Sequence, residues 1–384
     1  MTSKPTVLIA CREFGIPSEV WMLRQSSGFK SLDARYLCWE IANKIEPYPV
    51  ASLGYSFDAQ EFGIGKWLRR LLQLPSGNLF APNAKEQKTL LDLITREGKP
   101  DAILCHYGHV GLRMLPLAKK LNIPIVVHFH GNDISSALRN RYYRWSLQRS
   151  LSKFSACVAV GNRQIENLKA LGGDPEKIHL IPCGAPSQSF TPKPDYQADV
   201  CKFITVSRLV PWKGVDIVLQ AFDSVHQHNP NTELHIVGDG NQLNLIKNMR
   251  ENSPAWESIF VHGVKDQKTI HNMLLESDVF IQHSLDHETG WFEGFGVSIT
   301  EASLTGLPVV VTASGGIADQ IIDGYNGIYV GQRSVSETSA AMKKLADSAQ
   351  LRQTMGENGR TRALEHYDSS MLAEKLEQLI LNIS

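Results

Sequence analysis

The sequence predicts an α/β protein built from two doubly wound parallel-sheet domains, and three observations support this prediction. Short β-branched runs alternate with segments of helical length along the chain. The runs are mainly apolar, as expected for parallel strands that helices cover on both faces. The length of 384 residues is sufficient for two domains of ordinary size. Because open parallel sheets bind ligands beyond the carboxyl ends of their strands, we expect the substrates in a deep cleft between two facing domains.

The predicted strands can be placed in order along the chain. They lie at 6–11, 34–39, 102–106, 125–130 and 156–160 in the first half, and at 202–206, 233–237, 259–261, 279–282, 309–312 and 327–330 in the second. Four prolines within 182–194 predict a linker, because proline continues neither a helix nor a central strand. The C-terminal segment 367–384 has apolar residues at helical spacing, so we predict an amphipathic helix packed on a domain.

The charge is unevenly distributed, although the 39 basic and 39 acidic residues cancel. Residues 1–190 contain 24 Lys plus Arg and 15 Asp plus Glu, so the halves carry +9 and −9. A basic half indicates an anionic acceptor, a membrane surface or nucleic acid, and charge alone does not choose among them. Two basic aromatic stretches, 66–72 and 139–149, supply most of this excess. Each is either a surface for an anionic partner or a solvated helix face.

The cysteines and the N-terminal segment indicate a cytoplasmic protein. The six cysteines form no CxxC pair and lie mostly in apolar runs, as is typical of buried thiols in a reducing compartment. The sequence contains neither a signal-peptide pattern nor an apolar run of the roughly 18 residues that a membrane span needs. We expect a cytoplasmic location, with peripheral attachment to the cytosolic face of a membrane as the alternative.

Several common catalytic motifs are absent from the sequence. It has no GxGxxG, GxxxxGK[ST], GxSxG or HExxH, which argues against dinucleotide oxidoreductases, P-loop kinases, α/β-hydrolases and zincins. His283 and His287 have a spacing that binds metal on a helix, but they follow a predicted strand, where a loop is expected. No Asp-x-Asp is present to hold a divalent ion against a diphosphate. We therefore predict no metal and no cofactor.

A pair of cations follows the first strand of the second domain. Arg208 comes directly after this strand, and Lys213 with Gly214 opens the next helix. Two cations at the carboxyl edge of a sheet favour a phosphate. The alternatives are a diphosphate clamp and a solvated loop that carries two unrelated cations.

Two carboxylates, Glu293 and Glu301, flank a glycine-rich turn and a predicted helix start. Gly294 and Gly296 allow the backbone to approach a ligand, and the helix start offers unpaired N–H donors to a phosphate. Glu301 can then accept from a ribose diol. Alternatively, Glu293 is a surface carboxylate and Glu301 a partner of the helix dipole.

Two segments of the first domain follow predicted strands in the same way. His130 ends the fourth strand, and Asp133 lies three residues later; a histidine in this position is either structural or part of a site that admits a ligand. Gly15 follows the first strand, and Ser18 and Glu19 are suited to the N-cap and first turn of the next helix.

Together these motifs resemble the retaining family 4 glycosyltransferases of the GT-B fold, in which two Rossmann-like domains enclose a nucleotide-sugar. The resemblance covers residues 202–330, nearly the whole second domain. The matching motifs are Ser207-Arg208-Leu209 with Lys213-Gly214, Val237-Gly238-Asp239-Gly240, His262-Gly263-Val264, Glu293 and Glu301 with seven residues between them, Gly306-Leu307-Pro308-Val309-Val310, Gly315-Gly316, and Asn326-Gly327.

The resemblance implies roles for residues of the second domain. Arg208 and Lys213 neutralise the donor diphosphate without a metal. Glu301 holds the ribose, and Val264 meets the base through its backbone. Glu293 binds hydroxyls of the donor sugar. The resemblance places four more donor-binding residues directly after Glu293: Gly294, Phe295, Gly296 and Val297.

The resemblance also implies a domain assignment. Residues 1–187 with 367–384 form an acceptor-binding domain, and 188–366 form the donor-binding domain. In the first domain Gly15 approaches the diphosphate, and His130 with Asp133 matches the His-Gly-x-Asp element near the reacting face of the donor. The family often has a Gly-Gly pair where this chain has Gly15 alone.

The activity that the resemblance implies is metal-independent, retaining transfer of a hexosyl unit from a nucleotide-diphosphate sugar. UDP-glucose is the preferred donor, and GDP-mannose is the second choice. The acceptor is a hydroxyl of a polysaccharide or of a lipid-linked oligosaccharide precursor. The basic first domain suits peripheral contact with an anionic membrane, and no nucleic-acid partner is expected. The alternatives are a GT-B sugar-nucleotide 2-epimerase and a non-catalytic sugar-nucleotide binding partner.

Overall fold

The chain forms two compact units in a computed structural model that describes residues 4–16, 19–48, 50–54, 73–197 and 199–384. Unit 1 comprises Met1–Cys183 and Ser369–Ser384, and unit 2 comprises Gly184–Asp368. The division at Cys183 lies within the proline-rich segment 182–194.

Unit 1 contains one seven-stranded sheet in the order β3-β2-β1-β4-β5-β6-β7, with all neighbouring strands parallel. Its strands are β1 Thr6–Phe14, β2 Asp33–Ile41, β3 Val50–Ser52, β4 Ala102–His106, β5 Ile125–Phe129, β6 Ala156–Ala159 and β7 Ile178–Leu180. Its described helices are α1 Val20–Ser27, α2 Ala84–Thr95, α3 Gly108–Leu121, α4 Arg141–Gln148, α5 Asn162–Ala170 and, from the C-terminal segment, the helix Ser369–Ile383.

The sheet of unit 1 is buried on both faces along its central strands, because alternate residues of these strands enter two different cores. Leu8 and Ala10 of β1 belong to one apolar cluster, and Val7 and Ile9 belong to the other. The second cluster includes three residues of the C-terminal helix, Leu372, Leu376 and Ile380. The apolar spacing recognised in 367–384 is therefore the face by which this helix packs on unit 1.

Unit 2 contains a six-stranded parallel sheet in the order β10-β9-β8-β11-β12-β13. Its strands are β8 Cys201–Val206, β9 Thr232–Val237, β10 Ile259–Gly263, β11 Val279–Gln282, β12 Val309–Val311 and β13 Gly327–Tyr329. Its described helices are α6 Val215–His228, α7 Leu243–Glu251, α8 Gln267–Leu275, α9 Val297–Thr305, α10 Ile317–Gln320, α11 Val335–Ala346 and α12 Ala349–His366, so the C-terminal helix is α13.

The two sheets confirm the predicted class of two doubly wound α/β units. In each, strand order reverses beside the first strand, between β1 and β4 in unit 1 and between β8 and β11 in unit 2. Such a reversal opens a crevice at the carboxyl ends of the two strands, where open α/β sheets bind ligands.

All eleven predicted strands occur, and the structure adds two that the sequence pattern did not indicate. These are β3 and β7, the two edges of the first sheet. Each has three residues, none of them fully buried, so neither produces a continuous apolar run. All six cysteines are buried and free of disulfides. Within the described ranges, the helices are all too short or too polar to cross a membrane.

Candidate active site

Lys213 and Glu293 form a buried ion pair beyond the carboxyl ends of β8 and β11. A short turn, Pro211–Lys213, follows β8 and ends at Gly214, whose φ is +57°. A Cβ on Gly214 would lie 2.3 Å from the carbonyl oxygen of His283, so a side chain is excluded there. The Lys213 Nζ donates to Glu293 Oε2, and the two side chains are 12% and 11% exposed. The structure thus joins two residues to which the family resemblance assigns different parts of the donor.

The Glu293 carboxylate has further donors at the end of β11. Ser284 Oγ donates to Glu293 Oε2 at 3.2 Å, and Gln282 Nε2 does so at 3.3 Å. Ser298, in the first turn of α9, donates to Gln282 Oε1 at 3.0 Å. None of these three polar residues was predicted as a site residue from the sequence. The available signal was Gln282 as the last residue of an otherwise apolar strand, which places its amide at the binding edge.

The loop that begins at Glu293 is held by two glycines that follow β12. A Cβ on Gly315 would lie 2.0 Å from the Glu293 carbonyl oxygen, and one on Gly316 would lie 2.2 Å from that of Gly294. Gly316 N donates to the Glu293 oxygen at 2.9 Å. The Gly315-Gly316 pair is therefore needed because two backbones meet there. This contact fixes the position of the Glu293 backbone.

The remaining residues of this loop have different surroundings. Phe295 is buried, with its ring 5.5 Å from that of Tyr367. When the Gln320 amide is oriented so that both its atoms are satisfied, its oxygen accepts from Gly296 N at 2.9 Å. Val297 is the first residue of α9, and the N-terminus of α9 has no side-chain cap. The amide of Gly296 is thus engaged by the protein, whereas the first turn of α9 retains uncapped donors.

Three other predicted donor residues lie at the same edge of unit 2. Arg208 follows β8 and is exposed. Glu301 is buried in α9 and accepts from Gln267 Nε2 at 3.1 Å. Val264 follows β10 with 70% of its surface exposed. Among the described residues, Arg208 and Val264 are not part of the hydrogen-bond network around Glu293.

In unit 1, the Asp133 carboxylate binds three backbone amides. Oδ1 accepts from the N–H groups of His130 and Gly131 at 3.0 and 3.1 Å, and Oδ2 accepts from Gly108 N at 2.9 Å. Burial raises the pKa of Asp133 to about 6, and these amide hydrogen bonds act against that rise. Asp133 thereby ties the loop after β5 to the start of α3, and its contacts are those of a loop clamp.

His130 lies in a cluster of buried rings at the ends of β4 and β5. Its Nε2 shares a hydrogen bond of 3.0 Å with Nδ1 of His106, and its Nδ1 is 3.8 Å from Sγ of Cys183. Its ring centroid is 4.0 Å from that of Trp21 and 4.3 Å from that of His128. His106 was not predicted as a site residue, although a histidine that ends a buried strand was a visible signal.

Tyr107 and Glu19 complete this edge. Tyr107 has a φ of +75°, which a residue with a side chain rarely adopts. Its hydroxyl donates to Glu19 Oε1 at 2.6 Å, and its ring centroid is 5.0 Å from that of His130. Gly15 has a φ of +82°, and a Cβ there would lie 2.1 Å from the Asn43 carbonyl oxygen. The predicted cap Ser18 lies outside the described residues.

Two groups of histidines bear on metal binding. His283 accepts from Arg333 N at 2.9 Å and contacts Thr338 Oγ1 at 3.2 Å, and His287 contacts Thr289 Oγ1 at 2.9 Å, in a loop as expected. Within the described part of the chain, one set of His, Cys, Asp or Glu side chains is close enough together to share an ion. It consists of His106, His128 and His130, with one ligand atom from each within 4.8 Å of the others.

Of the two basic stretches, only 139–149 lies within the described residues. Residues 66–72 lie outside the described residues. In 139–149, α4 buries Tyr143 and Leu147 and exposes Arg141 and Arg144. Asn140 caps this helix by accepting from the N–H groups of its second and third residues at 3.1 and 3.3 Å. The second stretch is therefore an amphipathic helix with a cationic outer face.

Two family models match the chain, one in each half. A family model described as glycosyl transferases group 1 matches residues 191–362, and one described as glycosyltransferase family 4 matches residues 50–188. Crystal structures of Anabaena Alr3699/HepE have the same fold. The complex with UDP has a TM-score of 0.76 at 17% identity, covering 98% of this chain and 100% of that one. The complex with UDP-glucose has a TM-score of 0.74 at 18% identity, covering 98% and 99%.

Two curated relatives extend the comparison to sequence. A GDP-mannose-dependent alpha-(1-6)-phosphatidylinositol monomannoside mannosyltransferase of Mycolicibacterium smegmatis is 27% identical, over 69% of this chain and 72% of that protein. A UDP-Gal:alpha-D-GlcNAc-diphosphoundecaprenol alpha-1,3-galactosyltransferase of Escherichia coli is 25% identical, over 78% and 80%. With one family model matching each unit and glycosyltransferases as relatives, the chain belongs to the family 4 glycosyltransferases, which have the GT-B fold.

Proposed function

We propose that the protein is a retaining, metal-independent hexosyltransferase. It takes the hexosyl unit from a nucleotide-diphosphate sugar, and UDP-glucose is the donor that we propose. It delivers the unit to a hydroxyl of a polysaccharide or of a lipid-linked oligosaccharide precursor. Unit 2 binds the donor and unit 1 binds the acceptor.

The observation that carries this proposal is the Lys213–Glu293 pair at the point where strand order reverses in unit 2. Lys213 has three N–H donors, and Glu293 holds the ammonium in one place while leaving donors for an anion. Arg208 is exposed in the loop between β8 and Lys213, and the N-terminus of α9 lacks a side-chain cap. Two cations and free helix N–H groups are what a departing diphosphate requires.

The proposed reaction needs no enzyme nucleophile. The bond between the anomeric carbon and the diphosphate oxygen breaks, and the electron pair stays on the diphosphate. The acceptor oxygen forms a bond to the same face of that carbon, and its proton passes to the departing diphosphate. Arg208 and Lys213 stabilise the negative charge as it develops, which is the role of a divalent ion in other transferases.

The proposed donor and acceptor follow from the substrates that appear in the names of the similar proteins. HepE is solved with UDP-glucose, and the Escherichia coli relative uses UDP-Gal. These favour a uridine nucleotide here, and the GDP-mannose-dependent relative makes GDP-mannose the competing donor. The Escherichia coli relative transfers to a diphosphoundecaprenol-linked sugar, which supports a lipid-linked acceptor. The exposed arginines of α4 support peripheral contact of unit 1 with an anionic membrane surface.

The test is release of nucleotide from UDP-glucose, UDP-galactose and GDP-mannose without acceptor, with and without EDTA, with the sugar product analysed. We expect slow release from UDP-glucose that EDTA does not change. Arg208→Ala should lower release about 100-fold, because a cation that stabilises the leaving group is lost. Lys247→Ala, which removes an exposed lysine of α7 in the same unit, is the matched control and should retain full release.

Each other outcome contradicts part of the proposal. Loss of release in EDTA would overturn metal independence, and normal release by Arg208→Ala would remove that residue from the site. Recovery of an isomerised nucleotide-sugar would instead establish a 2-epimerase. Binding of all three donors without any turnover would make the protein a sugar-nucleotide binding partner.

A further inference from the structure

The hydrogen bonds around His130 define where the protons of the neighbouring imidazoles lie. His128 Nε2 is 3.1 Å from the carbonyl oxygen of Ile181. Because a carbonyl oxygen only accepts, His128 carries its proton on Nε2, and its Nδ1 is a lone pair. Burial lowers the pKa of His128 to about 3, so the ring is neutral.

The proton between His106 and His130 can be located by the same argument. Burial lowers the pKa of both groups well below the usual value, so each ring has one N–H and one lone pair. Nε2 of His106 is buried and has no hydrogen-bond partner among the described residues. A proton on that atom would be a buried unpaired donor, which native structures rarely contain. His106 therefore carries its proton on Nδ1 and donates it to Nε2 of His130.

This arrangement determines the tautomer of His130. Since Nε2 of His130 accepts from His106, its own proton lies on Nδ1. That N–H faces Cys183 Sγ at 3.8 Å, and a thiol sulfur is a weak acceptor. His130 is only partly buried, whereas His106 and His128 are fully buried. A sugar or phosphate oxygen that replaced the sulfur would be a better acceptor for the same N–H.

A shared metal ion is a poorer explanation of this cluster. Zinc bonds of 2.0–2.1 Å in a tetrahedral site would hold two nitrogens about 3.3 Å apart, with both lone pairs directed at the ion. The nitrogens of His106 and His130 are instead directed at each other at 3.0 Å, within the usual range of a hydrogen bond.

We propose that His106 is a positioning residue for His130. It donates to Nε2 and thereby keeps the His130 ring in the tautomer whose Nδ1–H can donate to an oxygen of the bound donor. The inference rests on the proposed function and on the place near the reacting face of the donor that the family resemblance implies for His130. His106 itself touches no substrate and acts only through His130.

A matched pair of variants tests this role. In His106→Asn the side-chain NH₂ takes approximately the place of the imidazole Nδ1–H, so the donor is retained. In His106→Leu it is removed at similar volume. We expect His106→Leu to lower kcat for nucleotide release on the order of 100-fold, with the donor KM within about twofold, since only the reacting orientation is lost. His106→Asn should stay within about fivefold of the unchanged protein. The probes are UDP-glucose and GDP-mannose, whichever is turned over.

The direct readout is the tautomer of His130, from the ring ¹⁵N resonances of histidine-labelled protein, assigned by their loss in His130→Gln. We expect the Nδ1–H form in the unchanged protein and in His106→Asn, and loss of that single form in His106→Leu. An unchanged tautomer in folded His106→Leu would overturn the proposal, as would equal loss of kcat in both variants. One equivalent of tightly bound metal in the purified protein, measured by mass spectrometry, would also overturn it.

The same experiments separate this inference from the proposed function. If His130→Gln releases nucleotide at the normal rate, the role of His130 in transfer is wrong, whatever the tautomer. If no donor is turned over at all, the proposed function fails, and the tautomer in the two His106 variants still decides whether His106 controls the protonation of His130.

Discussion

The two units share a sheet order but differ in the chemistry at the carboxyl ends of their strands. In unit 2 this edge carries the Lys213–Glu293 ion pair, with Arg208 and Glu301 on neighbouring elements. In unit 1 it carries a cluster of imidazoles, and backbone amides use both carboxylate oxygens of Asp133. The fold thus determines where a site can form, at the carboxyl ends of the strands. The side chains at this edge determine whether the site binds charged groups or donates hydrogen bonds from neutral groups.

The two edges differ because they compensate for the burial of polar side chains in different ways. A buried charge needs an opposite charge and further hydrogen bonds, and Glu293 has Lys213, Ser284 and Gln282 as donors. The three clustered imidazoles of unit 1, His106, His128 and His130, have no carboxylate hydrogen-bonded to their rings among the described residues, so burial drives them neutral. Unit 2 is therefore suited to an anion such as diphosphate.

The largest expected effect comes from removing the charge of unit 2. Lys213→Met should lower nucleotide release about 1000-fold, because the diphosphate loses a buried cation. It should also lower the free energy of unfolding by about 3 kcal/mol, because Glu293 remains buried without its partner. Release assays and urea unfolding measure the two effects.

The double variant Lys213→Met/Glu293→Gln is the control for this change. It leaves no uncompensated charge, so most of the stability should return while nucleotide release stays low. If the double variant recovered release as well, the ion pair would be a structural feature and the contrast between the two edges would lose its functional meaning.

A smaller effect is expected from the neutral edge of unit 1. His128 has a folded-state pKa of about 3, below the unfolded value near 6.5, so the unfolded chain binds more protons between those pH values. Its contribution to stability is therefore complete above pH 6.5 and is lost as the pH falls towards 3, at up to about 1.4 kcal/mol per pH unit. His128→Gln keeps an N–H for the Ile181 oxygen and cannot be protonated in this range.

We expect the loss of stability between pH 7 and pH 5 to be about 2 kcal/mol smaller in His128→Gln than in the unchanged protein. Urea unfolding at both pH values measures it, with His228→Gln, at an exposed histidine of unit 2, as the control that should change little. Asp133 acts in the opposite direction, because its raised pKa favours the folded state at lower pH, and it is the same in all three proteins. An equal pH dependence in the unchanged protein and His128→Gln would show that the cluster is not held neutral by burial.

The smallest effect is expected at Val264. The residue is 70% exposed, and the contact with the base that the family resemblance implies uses its backbone. Val264→Ala should change the free energy of unfolding by less than about 0.5 kcal/mol and the donor KM by less than about twofold. Donor titration of nucleotide release measures this, and a tenfold higher KM would mean that the side chain itself contacts the base.

The sequence was sufficient for most of the fold because the signal is local. Each central strand is buried on both faces, so a run such as 102–106 is apolar at every position except its final histidine. The edge strands Val50–Ser52 and Ile178–Leu180 lack full burial and left no such run. The sequence likewise placed Arg208, Lys213, Glu293 and Glu301 after strands or at helix starts, where the structure has them.

What the sequence determined by itself is the alternation of strands and helices and the kinds of residue that follow each strand. The tertiary structure alone decided which of those residues meet. Lys213 and Glu293 are 80 residues apart, and His106 and His130 are 24 apart, at the carboxyl ends of neighbouring strands. Hydrophobic periodicity is set by each element's own burial, whereas a hydrogen bond or ion pair exists only after the sheet has brought separate loops to one edge.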